Sequence, residues 1–317
     1  MRAGYQKAGR PGRAARPAFG SATVPALRMT KSILRTVYVL LVLLAVGPLS
    51  ASLLAGLRDA DGGNGVTILT GGRVGAGLAG LAVLALGALV AGAAGAKLFS
   101  AGMGFAGAGL VFAWGAWNLG TLEEVLRRTR QGKESTALAA EGLLAVLVAG
   151  VVMGVAWIIA ERAQGRDKNG AGGVGLIGVR EKGSTGIAAT ALAAWALAAC
   201  AAGVAAAIIA ISAAKGQAVF AAFAGAIVAG IVAQTIGAAQ HVKVSPLVPA
   251  LAMAVPAVAG PLIAALVAQR GWVPATFAGS DFPLGRVVGL DWSAGVLLGV
   301  PVGMGWAGAM IDHRAPA

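Results

Sequence analysis

Apolar residues in this chain come in long unbroken runs, not in the alternation of a half-buried strand or the three-and-four spacing of a surface helix. Runs near 33–56, 74–96, 99–119, 137–160, 186–213, 217–239, 247–268 and 290–311 each come close to the roughly 20 apolar residues that cross the hydrocarbon core of a bilayer. The pattern predicts an all-α fold, a polytopic transmembrane helical bundle of about eight helices. Two of the divisions rest on single lysines. The region from Val74 to Leu119 is too long for one crossing and is interrupted by Lys97 and Ser100, and Lys215-Gly216-Gln217 splits the region from Ile187 to Ala239 in the same way. A lysine held mid-membrane costs about 2.5–3.5 kcal/mol on insertion scales, so each is expected at a tight turn between two helices.

Composition agrees. Hydrophobic residues make up 58% of the 317 and charged residues 12%, with a mean hydropathy of +0.81; a soluble domain carries about 25% charged residues. A net charge of +13 would suggest nucleic acid in a soluble protein. Here the cations lie in an N-terminal arm and between the apolar runs, where they set membrane orientation, so no nucleic-acid partner is expected. With the N-terminus inside, eight crossings place 16 of the 25 Lys and Arg residues in the cytoplasm and 9 outside. Both termini are therefore expected to be cytoplasmic, in a multi-pass protein of the cell inner (plasma) membrane. The main dissent is an outside loop with Arg127, Arg128, Arg130 and Lys133. There Thr121 and Glu124 read as a capping box, and Glu123/Arg127 and Glu124/Arg128 are four apart, which predicts a short amphipathic helix with Leu122, Val125 and Leu126 on the lipid surface.

Residues 1–31 carry Arg2, Lys7, Arg10, Arg13, Arg16, Arg28 and Lys31 without an acid, and Pro11, Pro17 and Pro25 break any regular structure. They read as a disordered basic arm ahead of a transmembrane domain at 32–317, or as sequence upstream of a start at Met29. Glycine and alanine dominate the spans. Gly295, Gly299 and Gly303 form a stripe at four-residue spacing in the last span, as do Ala88, Gly92 and Ala96 in the second; such stripes pack helices closely, within one chain, in a homo-oligomer or against membrane partner proteins. A gapless shift of 118 residues superimposes Ala96-Lys97 on Ala214-Lys215 and Phe105-Ala-Gly-Ala108 on Phe223-Ala-Gly-Ala226. Three crossings separate those copies, so a repeat there would be inverted, as in many transporters.

Candidate chemistry is sparse. Pro246, Pro249, Pro256 and Pro261 punctuate the seventh span and must kink or break it. Glu141 lies about one turn inside the fourth span, Asp291 opens the eighth, and Gln234 is near the end of the sixth. Glu141, Gln234, Pro256 and Pro261 are the candidate cavity-lining residues, because polar side chains and freed carbonyls in lipid mark solute paths. Gly173-Val-Gly175-Leu-Ile-Gly178 matches the dinucleotide pattern, but a polar run precedes it where a buried strand is needed, and similar spacings recur among the chain's 50 glycines. No cofactor is expected. His241, His313 and Asp312 offer no close ligand spacing, so no metal is expected; Cys200 is the single cysteine and can form no intrachain disulfide. No nucleophile sits beside a base, so no catalytic residue and no enzyme is expected. Two readings follow: a transporter or permease-like protein of unknown substrate, or a non-transporting membrane subunit or scaffold that packs against partners through its Gly/Ala stripes.

Overall fold

In a computed structural model, the described residues are 23–57, 67–70, 73–129, 134–164, 187–212, 214–268 and 271–312. All regular structure among them is helical. In chain order the helices are α1 (Thr23–Leu41), a π-helical segment (Val42–Val46), α2 (Gly47–Ala55), α3 (Val74–Leu98), α4 (Ala101–Asn118) and α5 (Leu122–Thr129). There follow α6 (Glu134–Gln164), α7 (Ile187–Ile209), α8 (Lys215–Ala239), α9 (Leu247–Ala252), α10 (Ala254–Val267), α11 (Trp272–Phe277), a 3₁₀ turn (Pro283–Arg286) and α12 (Gly289–Asp312). The chain divides into units Met1–Tyr38 and Val39–Ala317. In the first, α1 is helical from Thr23, so Thr23–Lys31 of the expected arm are helical; Pro25 sits in the first turn, where no backbone N–H is needed. Residues 1–22, the glycine pattern at 173–178 and His313 lie outside the described residues. Apart from the start of the first candidate span, everything below concerns the second unit.

Among the described residues, seven helices are long and apolar enough to cross a membrane: Thr30–Ala55, Val74–Leu98, Glu134–Ala163, Ala188–Ile209, Lys215–Ala239, Leu247–Val267 and Gly289–Ile311. The chain is thus a multi-pass membrane protein. The third expected span, α4, is present as a helix but falls outside that set: 18 residues give about 27 Å, and glycines, two tryptophans and Asn118 dilute its apolar content. It tolerates this because protein, not lipid, surrounds much of it. A Cβ on Gly104 would lie 2.6 Å from the Gly92 carbonyl and one on Gly115 would lie 2.4 Å from Leu84, so α4 runs antiparallel to α3 along its length.

The same contacts give the direction of the other helices. Gly225 abuts Ala202 and Ala206, so α7 and α8 form a second antiparallel hairpin; Gly142 and Gly154 meet Ala257 and Leu247, so α6 runs antiparallel to the α9–α10 rod. The stripe Gly295, Gly299 and Gly303 meets Ala222, Phe223 and Ile227 in ascending order, so α12 is parallel to α8. Gly109 meets Leu297 and Leu298 while Gly115 meets Leu290, which makes α4 antiparallel to α12 and hence to α8. The α3–α4 and α7–α8 hairpins therefore point opposite ways, and α12 packs against both α4 and α8. Small residues line these seams, while Leu44, Leu86, Val90, Val151, Val204, Ile208 and Leu266 are exposed on the outer faces. That is the arrangement expected where lipid removes the hydrophobic drive between helices and close backbone approach holds them.

The turns explain themselves locally. Ser100 caps α4 by accepting the Met103 N–H at 3.3 Å. Gln217 closes the second hairpin: its Nε2 donates to the Ile209 carbonyl at 2.7 Å and its Oε1 accepts the Ser212 N–H at 3.1 Å. Pro48 cannot donate into the preceding turn; the chain widens into a π segment there, and the Trp114 indole donates to the Leu43 carbonyl at 2.8 Å. In the seventh span Pro256 has no N–H for the Ala252 carbonyl, and the rod breaks at Met253 between α9 and α10.

One expectation is overturned. The capping box of α5 forms as read: Thr121 N–H donates to Glu124 Oε2 at 2.7 Å, and Glu124 N–H to Thr121 Oγ1 at 3.3 Å. Its apolar face, however, does not lie on lipid. Leu122, Val125 and Leu126 are fully buried, and Leu122 and Leu126 pack with Leu138, Ala264, Trp272 and Val288. Arg127 stacks over the Phe277 ring at 5.6 Å. The segment around α11 supplies a protein surface for α5 that the local pattern could not reveal.

Candidate functional site

Five segments meet at the end of the bundle where α6, α8 and α12 begin. Helix starts leave backbone N–H groups without intrahelical acceptors, so this end attracts acids. Asp291 satisfies one locally: its Oδ2 accepts the Val288 N–H at 3.1 Å, closing the first turn of α12. Its Oδ1 lies 2.8 Å from Lys215 Nζ at the first residue of α8. Asp291 is fully buried, and the Lys215 side chain is 12% exposed. Lys215 Nζ also reaches the Gly120 carbonyl at 3.5 Å.

Glu141, two turns into α6, completes the cluster and is fully buried. Its Oε2 accepts the Leu69 N–H at 3.1 Å. Thr67 also bonds its carboxyl, and Lys215 and Asp291 are near enough to act on its charge. Thr67 is fixed in turn by Thr70, whose Oγ1 accepts the Thr67 N–H at 2.9 Å. Glu141 Oε1 has no hydrogen-bond partner. It faces the start of α12, where a Cβ on Gly289 would lie 2.8 Å from it, so only glycine admits this carboxyl.

A second buried pair lies nearby in the chain. Arg286 Nε donates to Asp281 Oδ1 at 3.0 Å, Nη1 to the carbonyls of Ala210, at 3.3 Å, and Ile211, and Nη2 to that of Gly279 at 3.1 Å. This guanidinium ties the 271–288 segment to the carbonyl end of α7, a structural use of the fork geometry of arginine. Beside it an apolar groove of about 550 Å³ runs between α7 and α10, lined by Cys200, Gly203, Val204, Pro256, Phe282 and Leu284 among others.

The four candidate cavity residues do not share one cavity. Glu141 is in the ionic cluster. Pro261 is buried in α10, and the Ala257 carbonyl it cannot serve lies against Gly142, where a Cβ would come within 2.7 Å. Pro256 faces the α7 groove. Gln234 is half-buried and 19 residues beyond Lys215 on α8, about 28 Å along the helix axis, near the opposite end. Gly295, Gly299 and Gly303 are all spent against α8.

The sequence reading missed the Lys215–Asp291 pair and treated Lys215 as a turn residue like Lys97. Lys97 is indeed exposed at its turn. The available signal was that Glu141, Lys215 and Asp291 all fall at span ends on one predicted side. Among the described residues no group of three or more His, Cys, Asp and Glu side chains is placed to hold a metal ion. No protein-family model matches the chain, and no curated protein or solved structure matches it either.

Proposed function

We propose that this protein is a transporter-like permease of the inner membrane with both termini cytoplasmic, and that Glu141, Lys215 and Asp291 are its charge-bearing site. The observation that carries the reading is the origin of the three side chains. Glu141 comes from α6, packed with the α3–α4 hairpin, Lys215 from the α7–α8 hairpin of opposite polarity, and Asp291 from the helix packed on both hairpins. Ionisable groups at membrane depth are costly and are kept where function needs them. Oppositely oriented groups with a polar site between them are the arrangement in which rocking of one group against the other exposes that site alternately. The proline break at Met253 interrupts the α9–α10 rod, which packs on both α6 and α7. Orientation follows from the excess of Lys and Arg at the Lys97 end.

The rival reading, a non-transporting subunit, draws less support, because its docking stripes are filled within the chain by α8 and α4. The test is flux. Purified protein in liposomes holding a trapped pH-sensitive dye is challenged with a panel of amino acids, sugars, nucleosides and lipophilic cations. At least one solute is expected to give uptake or a pH change that Lys215→Met abolishes. A panel that moves nothing, in protein shown to be folded and inserted, refutes transport.

A further inference from the structure

The ionic cluster does not balance. Among the described residues it holds two carboxyl groups, Glu141 and Asp291, and one amine, Lys215. The 2.8 Å pair of Lys215 and Asp291 cancels itself. Glu141 is left with neutral donors only, the Leu69 N–H and Thr67, and with Oε1 unpartnered in a side chain that water does not reach. An isolated carboxylate removed from water is far too costly to persist and is neutralised by a cation or a proton.

The surroundings choose between these. Ser293 lies one turn along α12 from Gly289, on the face that Glu141 Oε1 contacts, and its Oγ is also buried without a hydrogen-bond partner. Ala145, one turn along α6 from Glu141, is fully buried. Because α6 and α12 start at the same end, these positions follow one seam. A metal cation needs a cage of several oxygens. A single proton needs only the one carboxyl oxygen to carry it, and the Ser293 hydroxyl, also without a partner, is the next polar group along the seam. The other titratable groups facing this seam are Lys215 from α8, Asp291 from α12 and Glu134 two turns before Glu141; the packed parts of α3, α10 and the 67–70 segment contribute none.

We infer that Glu141 is a proton-binding site, with the proton carried on Oε1 at the α6–α12 seam, on the helix face that also bears Ser293. This deepens the transport reading by naming the coupled ion, and it rests on that reading only for the flux the proton would drive. Lys215, the partly exposed member of the cluster, marks the side from which the proton enters.

Infrared spectroscopy of the full chain in lipid nanodiscs tests the inference without any substrate. Wild type at neutral pH is expected to show a protonated-carboxyl band that is lost in Glu141→Gln, shifted in Glu141→Asp and in Ser293→Ala, and unaffected when sodium chloride is added at constant pH. Glutamine has the shape of protonated glutamate, so that variant is expected to fold; should it not, the Asp variant reads the same band. Absence of a Glu141-dependent band, or its removal by sodium, overturns the proton assignment, and a band unmoved in Ser293→Ala overturns its placement on the α6–α12 seam. A solute panel without flux would refute transport and leave this band in place. A missing band would refute the proton and leave the solute panel unaffected.

Discussion

Replacing Lys215 by methionine should destabilise the protein more than replacing Asp291 by asparagine, although each breaks the same ion pair. The pair is 2.8 Å long with Asp291 fully buried and the Lys215 side chain 12% exposed. Lys215→Met leaves Asp291 with the Val288 N–H as its remaining donor, and leaves two buried carboxyl groups with no amine between them. Breaking a buried pair in this way costs about 3–5 kcal/mol. Asp291→Asn is milder: the amide oxygen still accepts the Val288 N–H, and the freed ammonium faces Glu141, which can release its proton and supply the missing charge. The residual loss is that of an imperfectly satisfied buried group, about 1–3 kcal/mol. The double variant carries no charge at either position and should lose less than Lys215→Met alone, a coupling that a double-mutant cycle reads directly. Sodium dodecyl sulfate titration in mixed micelles, followed by the fluorescence of the seven tryptophans, measures all four proteins. Equal losses for the two single variants, or a double variant that is simply additive, would refute this account of the cluster.

Three further outcomes are expected. Gly303→Ala places a Cβ 2.0 Å from the Ile227 carbonyl, so α8 and α12 must part by about 1.4 Å to reach an ordinary 3.4 Å contact; overpacking of this kind costs about 1–3 kcal/mol, whereas Gly308→Ala, with nothing within 4 Å, should leave the same unfolding curve unchanged. Arg286→Met strands the Ala210, Ile211 and Gly279 carbonyls and the buried Asp281, and should lower stability by about 3–5 kcal/mol and open the 271–288 segment to limited proteolysis, with Arg286→Lys restoring only part. With Cys200 replaced by alanine, a cysteine at the exposed Ala278 should react with a membrane-impermeant maleimide added to intact cells and one at exposed Lys97 should not; the opposite pattern inverts the topology.

The helices themselves were legible because each is a local property. A run of about 20 apolar residues has one stable form in lipid, and the ends fall where Lys97, Lys215 and the polar loops must leave it. The α5 capping box was legible for the same reason, since Thr121 and Glu124 are three residues apart. The environment of α5 was not. An amphipathic octet reads the same whether its apolar face meets lipid or, as here, Trp272 and Val288, which lie about 150 residues further along the chain. The glycine stripe of α12 was equally visible, while its partner was not, because most helices here carry small residues at similar spacing.

The ionic cluster divides along the same line. Sequence placed Glu141, Lys215 and Asp291 near one membrane face, because helix length and alternating direction fix depth. Only the tertiary structure decided that α6, α8 and α12 begin side by side, which turns a turn lysine into the counter-ion of buried Asp291 and brings the helix-end Glu141 into the same cluster. Depth in a bilayer is set by hydropathy along one helix. Lateral neighbours are set by which small residues mesh across helices, and a chain this rich in alanine and glycine offers too many equivalent choices for the sequence alone to name them.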